Sequence, residues 1–302
     1  MINNFNVLNE ERELRLDILL SNRFKEHSRS YLQHLISDGQ VLINGDKVKK
    51  REKCKVGDKI QITFLEKQQI DLSPKKIDID ILYEDDYLLI VNKPSGLVVH
   101  PGTKNLTDTF VNALVYHLNG TPQCGDENRP GIVHRLDKDT SGVMIAVKDP
   151  KCHKKLSAMF KEHKIEKHYL AICKGVPKQV GDIQTLIGRH TTKRNKMCVK
   201  SENGKLAHTH IEILSHSNTM SLILAKPTTG RTHQIRVHLK YLQSPVIGDV
   251  IYGDKKETCS RLMLHAHKII FLHPITEQRI NVIAPLPEEF RQKMPKSSMK
   301  NG

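Results

Sequence analysis

Apolar and polar positions alternate with two different periods along this chain. Over residues 13–65 the period is first helical: Leu16, Leu19 and Leu20 share one face, and Leu32, Leu35 and Ile36 form a second stripe that ends at Gly39. Gln40 to Gly45 then reads as a short strand running into an Asn-Gly turn, and Lys59 to Phe64 alternates as a half-buried strand does. Two helices and a few strands in about fifty residues make a small module with only a marginal core of its own.

Glu66 to Lys76, a polar stretch containing Ser73-Pro74, reads as a linker. Beyond it the chain is rich in strands. Ile79 to Tyr83 and Tyr87 to Asn92 are apolar runs broken by Glu84-Asp85-Asp86, as in a hairpin. Thr107 is placed to cap a helix reaching Leu118, and Asp149-Pro150 to start another through His163. Strands are expected at 143–148, 168–173, 206–214, 220–226, 263–272 and 279–284, and a helix over 232–242 with Ile235, Leu239 and Leu242 on one stripe. Many strands and few, irregularly spaced helices predict an α+β domain with a mixed, largely antiparallel sheet. The expected organisation is a tail over 1–12, a small module over 13–65, a linker over 66–78, a large domain over 79–295 and a short basic tail over 296–302, expected to be disordered.

Charge changes the picture. Lys and Arg number 48 against 33 Asp and Glu, a formal net charge of +15, and such a field attracts polyanions. The excess is concentrated: between Lys47 and Lys59 stand seven basic residues (Lys47, Lys49, Lys50, Arg51, Lys53, Lys55, Lys59) against Glu52 and Asp58. A run of this kind is either a solvated face or a set of phosphate contacts. The six cysteines are scattered without a Cys-x-x-Cys pair, which speaks for reduced thiols and against a zinc site or a disulfide framework. The polar N-terminus lacks the basic-then-apolar order of a secretion signal, and no apolar run reaches the ~18 residues of a membrane span. A cytoplasmic protein with no membrane association is expected.

The densest polar cluster beside an apolar strand is His134-Arg135-Leu136-Asp137-Lys138-Asp139-Thr140-Ser141-Gly142. Asp137, Asp139, Ser141 and Gly142 fit the opening of a calcium loop, but the twelfth position, where an acidic ligand is required, is Lys148. Asp139 to Gly142 also spells an aspartic-protease element, yet that chemistry needs a second copy and the chain has none. A Ser-His-Asp hydrolase built from His134, Asp137 and Ser141 lacks a Gly-x-Ser-x-Gly elbow. A tight turn, with Asp and Ser bonding nearby amides, is the reading these residues support by themselves. The pairs His208/His210 and His265/His267 each share one strand face, but neither has a third ligand at motif spacing, so no metal is expected. No Gly-x-x-x-x-Gly-Lys-Ser/Thr loop is present.

Longer segments carry a resemblance. Arg15–Phe24 (RLDILLSNRF), Ser28–Lys50 and Val56–Ile62 (VGDKIQI) resemble an S4 RNA-binding domain. HRLDKDTSG resembles the signature of the RluA-type pseudouridine synthases. YEDDYLLIVNKPSGLVVHPG (83–102), EKHYLAICKG (166–175) and GRTHQIRVHLKYLQSPVIGDVIYG (230–253) are similar to that family's first, tyrosine and arginine motifs, in the family's order. RHTTKRNKMCV (189–199) with GKLAHTHIEIL (204–214) looks most like the RluD branch. The resemblance implies an S4 domain followed by a pseudouridine synthase catalytic domain, acting without a cofactor on large-subunit ribosomal RNA or pre-ribosomal particles, as a monomer. It implies Asp137 as the catalytic carboxylate, Arg231 as its arginine partner and Tyr169 as the residue stacked on the target base. It further implies Arg135 filling the gap left by a flipped base and Ile235 as an apolar pocket wall. His134 and, in the S4 module, Arg29, Lys47 and Lys49 complete the expected RNA contacts.

Overall fold

The computed structural model describes residues 2–65, 71–101, 107–127, 129–193, 196–254 and 259–295. The expected C-terminal tail over 296–302 and the first part of the linker, 66–70, lie outside the described residues. Two compact units emerge, Met1–Gln69 and Ile70–Gly302.

In the first unit β1 (Ile2–Asn6), α1 (Leu16–Arg23), α2 (Arg29–Ser37), β2 (Val41–Ile43), β3 (Asp46–Lys47) and β4 (Lys59–Thr63) follow in order. The four strands form one antiparallel sheet, β1-β4-β2-β3. The leucine stripes read from the sequence are its core: Leu16, Leu19, Leu20, Leu32 and Leu35 are fully buried. Asn44 and Gly45 both take positive φ (53° and 91°), the twist a two-residue hairpin needs, and so join β2 to β3. The first residues, expected to be a tail, differ: β1 pairs with β4 over five residues. Its strand is polar and mostly exposed, and only Phe5 packs inward, against the Phe24 ring at 5.9 Å, so alternation gave it no signal.

The second unit contains β5 (Asp80–Glu84), β6 (Leu88–Lys93), α3 (Phe110–His117), β7 (Gly125–Asp126), β8 (Arg129–Pro130), β9 (Ser141–Val147) and α4 (Pro150–Lys161). It continues with β10 (Glu166–Lys174), β11 (Gly181–Arg189), β12 (Met197–Lys200), β13 (Lys205–His216), β14 (Met220–Pro227), α5 (Gln234–Tyr241), β15 (Leu264–Leu272), β16 (Arg279–Ile283) and α6 (Glu288–Lys293). Ten strands form one sheet in the order β12-β11-β13-β14-β10-β15-β9-β6-β5, with β16 on β15. The sheet is mixed and largely antiparallel, as expected of an α+β domain; β9 and β15 pair in parallel. All seven residues of β9 are buried, which accounts for its unbroken apolar run. Asp149 caps α4 by accepting from the Cys152 amide at 2.7 Å, as its place before Pro150 predicts. The helix expected from Thr107 instead starts at Phe110, after Thr109, whose amide donates to the Asn112 side chain. Among the described residues no helix is long and apolar enough to cross a membrane.

Candidate active site

The polar cluster forms a loop that leads into β9, and its seat is the parallel junction of β9 with β15. Ser141 is opposite His265 and Gly142 opposite Ala266. Gly142 has φ 111°, and a side chain there would run into the Ala266 carbonyl, so only glycine lets the two strands approach. Ser141, 2% exposed, bonds His265 Nδ1 at 2.8 Å and accepts from Arg261 at 2.6 Å. Its histidine partner is therefore His265 and not His134, and both are buried, so no hydrolase triad is assembled. Lys93, 1% exposed, closes the loop from the other side: its ammonium donates to the carbonyls of Pro94, Leu97 and Lys138 at 2.7, 2.9 and 2.9 Å. Burial pushes its pKa down to about 7, against the opposing pull of Asp139 and Asp137.

Held in this way, Asp137 reaches the floor of a cavity of about 560 Å³. Its side chain is 19% exposed. Oδ2 accepts from Arg236 Nη1 at 3.0 Å, and Oδ1 carries no hydrogen bond from any described residue. Arg236 lies on α5 and is almost fully buried. Its Nε and Nη2 grip Asp249 in a fork at 2.7 and 2.9 Å, and Asp249 Oδ1 also accepts the amides of Ile251 and Tyr252. Burial works against the guanidinium charge, but the two carboxylates outweigh it and hold the pKa of Arg236 above its ordinary value. Asp249 thus fixes the arginine in place and turns Nη1 towards Asp137.

Arg236 corrects the sequence reading. Arg231 was expected to pair with Asp137; instead its Nε donates to the Leu206 carbonyl at 2.8 Å, at the cavity margin. The reason is local geometry: α5 begins only at Gln234, whose Oε1 accepts the Arg231 amide, so Arg231 stands outside the helix and Arg236 faces inward. The other expected cavity residues do converge. Tyr169 on β10 and Ile235 on α5, the latter 6% exposed, line it, as do Arg135 and His134. The Tyr169 hydroxyl is held well above the usual phenol range, first by burial and then by the Asp137 charge, so it stays protonated. His134 is a neutral ring: its Nε2 accepts the Ile145 amide at 2.8 Å, it stacks on Phe160 at 4.6 Å, and burial, with Lys167 nearby, pushes its pKa down to about 3. Arg135 is exposed at the mouth.

Arg29, Lys47 and Lys49 belong to the first unit. Lys47 and Lys49 are exposed, while Arg29 donates to Asp17 at 2.8 Å with half its side chain in solvent. Of the paired histidines, His208 and His210 both contact Asp182, and among the described residues no group of three or more His, Cys, Asp or Glu side chains is placed to hold a metal.

Sequence reasoning missed Arg236, Asp249, Lys93 and two further groups. Lys167 lines the cavity on β10, its ammonium donating to the Thr228 carbonyl at 3.5 Å, and burial lowers its pKa to about 8. His233 precedes α5 in the left-handed conformation (φ 57°, ψ 20°), with Nε2 at 3.9 Å from Asp137 Oδ2. The arginine motif contained Arg236, His233 and Asp249, but spacing alone does not say which arginine turns inward.

Comparison with known proteins identifies the family. The family described as RNA pseudouridylate synthase matches residues 87–241, and the S4 domain matches residues 14–60. The chain is 38% identical to an uncharacterised RNA pseudouridine synthase of Bacillus subtilis, covering 94% of each chain. It is 37% identical to ribosomal large subunit pseudouridine synthase D of Pseudomonas aeruginosa, over 91% of this chain and 89% of that one. Among solved structures, the human RNA pseudouridylate synthase domain containing 1 superposes with a TM-score of 0.57 and 29% identity, over 70% of this chain and 84% of that chain.

Proposed function

The chain belongs to the RNA pseudouridylate synthase family, with an S4 domain in front, and from that premise we propose that it isomerises specific uridines of large-subunit ribosomal RNA, with Asp137 as the catalytic carboxylate. Pseudouridine synthases are isomerases: the N1–C1′ bond of a uridine is broken, the C5–C1′ bond is formed, and the proton lost from C5 is balanced by one gained at N1. No oxidant, reductant or cofactor enters that balance.

The observation that carries the assignment of Asp137 is its divided environment. One oxygen is tied to a buried arginine, the other takes no hydrogen bond from a described residue, and Asp137 lines a cavity large enough for a nucleobase. A carboxylate so oriented is available to act at the ribose as nucleophile or base. Tyr169 offers a flat face for the base, and its retained proton makes it a donor, not a competing anion. Ile235 and Leu264 give the cavity apolar wall, which limits loss of the detached base to water. A uridine reaches such a cavity only by leaving its stack, at a cost of a few kcal/mol; in this reading the exposed Arg135, which lines the cavity, fills the gap. The S4 unit, with exposed Lys47 and Lys49, adds phosphate contacts whose strength falls with salt.

Large-subunit RNA is supported by the relatives named for it; in this reading the enzyme acts as a monomer in the cytoplasm during ribosome maturation. The test is to incubate the protein with unmodified large-subunit RNA, and separately with subunits assembled from it, and to map pseudouridine to single nucleotides. Conversion at a few defined uridines is expected. Conversion of small-subunit or transfer RNA alone would contradict the substrate assignment.

A further inference from the structure

His233 occupies a backbone conformation that a non-glycine residue adopts at a cost of about 1 kcal/mol or more. Its side chain makes no capping bond to α5. What it does make is a connection in two directions: Nδ1 is 2.8 Å from the Tyr252 hydroxyl, and Nε2 points at Asp137 Oδ2, 3.9 Å away.

The hydrogen bonds decide which nitrogen carries the proton. The Met197 amide donates to the Tyr252 oxygen at 2.8 Å. Tyr252 is 6% exposed, and burial raises its pKa, so the phenol keeps its own proton. Among the described residues, the acceptor that proton meets is His233 Nδ1. Nδ1 therefore accepts, and the proton of the neutral ring sits on Nε2, facing the carboxylate. The opposite tautomer would leave the buried hydroxyl proton without an acceptor and set a nitrogen lone pair against the carboxylate oxygen, and an unmet buried donor is costly. Burial lowers the pKa of His233; Arg236 and Arg135 act in the same direction, while Asp137 and Asp249 oppose them, leaving the net shift downward. The ring is thus a neutral N–H group. Tyr252 is itself fixed, its ring standing edge-on to His233 and under the Arg236 guanidinium at 5.2 Å.

We propose that Tyr252 and His233 form a positioning pair for the catalytic carboxylate: Tyr252 selects the tautomer in which His233 presents Nε2–H to Asp137 Oδ2, the oxygen already bound by Arg236. With Arg236 bonded to Oδ2 at 3.0 Å and the His233 N–H facing the same oxygen from 3.9 Å, that side of the carboxylate is favoured for the protein and the other oxygen is left for the substrate, while the histidine adds no further positive charge beside the reacting group. The inference rests on the reading of Asp137 as the catalytic carboxylate.

The test has two parts on the full chain. Ring nitrogen NMR of histidine-labelled protein at pH 7, with His233→Asn identifying the signal, is expected to show the Nε2–H form in the wild type and loss of that preference in Tyr252→Phe. A ring protonated on Nδ1, or on both nitrogens, in the wild type would overturn the proposal. In kinetics, Tyr252→Phe and His233→Asn are each expected to lower kcat about tenfold with KM little changed. The double variant should lose no more than the larger single loss, because both act through one N–H. Unchanged kcat in either single variant, or losses that multiply in the double, would also overturn it. The tautomer is read whether or not any uridine is converted, so failure of the functional reading and failure of this one give different results.

Discussion

Each unit of the molecule sets an aspartate against arginine, and the two surround it in opposite ways. In the S4 unit Asp17 has no exposed side-chain surface, and its oxygens accept from Arg15, Arg29 and Gln33 at 2.7–3.0 Å. Its pKa is lowered because those bonds outweigh the burial that would raise it. In the catalytic unit Asp137 accepts one strong bond, and the saturated carboxylate is the neighbouring Asp249. The four bonds on Asp17 suit a structural bolt, whereas Asp137, with one bonded oxygen at a cavity, suits the reagent proposed above. The difference lies in the partners supplied, not in the residue type or in its pairing with arginine.

The largest expected effect comes from removing what separates Asp137 from Asp249. Arg236→Lys replaces a three-way fork by a single point charge that cannot serve both carboxylates. We expect a loss in kcat of at least about a thousandfold with destabilisation of about 3 kcal/mol, read by single-turnover kinetics and by urea unfolding. A variant with near-normal kcat would break the distinction. Lys93→Met is expected to cost about 3 kcal/mol, since three carbonyls that hold the catalytic loop lose their donor. Its sign with pH is also fixed. The folded lysine releases its proton near pH 7 and the unfolded one only in the ordinary lysine range, so the unfolded chain binds more protons between them. Lys93 therefore makes wild-type stability rise with pH across that window, and Lys93→Met should flatten the slope.

Asp17→Asn should destabilise the S4 unit by about 2 kcal/mol, less than a fully buried network because Arg15 and Arg29 are partly exposed. Measured on RNA, KM should rise while kcat stays within about twofold; a large fall in kcat would mean that Asp17 is not purely structural. Smallest is Arg231→Ala. With its guanidinium on the Leu206 carbonyl and not on Asp137, it should change kcat less than about tenfold. A loss matching that of Arg236→Lys would restore Arg231 as the partner.

What the sequence made legible follows from where a simple period holds. Leu16, Leu19, Leu20, Leu32 and Leu35 repeat at helical spacing and form the core of the S4 unit; β13, β14 and β15 lie where alternation placed them. Asp137 and the cavity residues Tyr169 and Ile235 were reached through motif resemblance, not periodicity. The missed residues share a physical cause. Six successive positions of α5, Gln234 to Leu239, are buried, so its polar side chains do not mark a solvent face. Gln234 bonds Thr229, Thr209 and the His208 carbonyl, and His238 bonds Thr209 and Thr185. Such a helix shows one stripe to a periodic reading while its polar residues are held by partners far away in sequence. Which arginine points inward depends on the helix starting after His233, a backbone event that residue spacing does not encode.

The most direct test of the central distinction is to make Asp137→Asn and Asp17→Asn in parallel and to measure single-turnover pseudouridine formation alongside unfolding. Asp137→Asn is expected to abolish conversion at every mapped uridine, with stability within about 1 kcal/mol of wild type, whereas Asp17→Asn keeps turnover and loses stability. Conversion by Asp137→Asn at a rate near that of wild type would contradict the account.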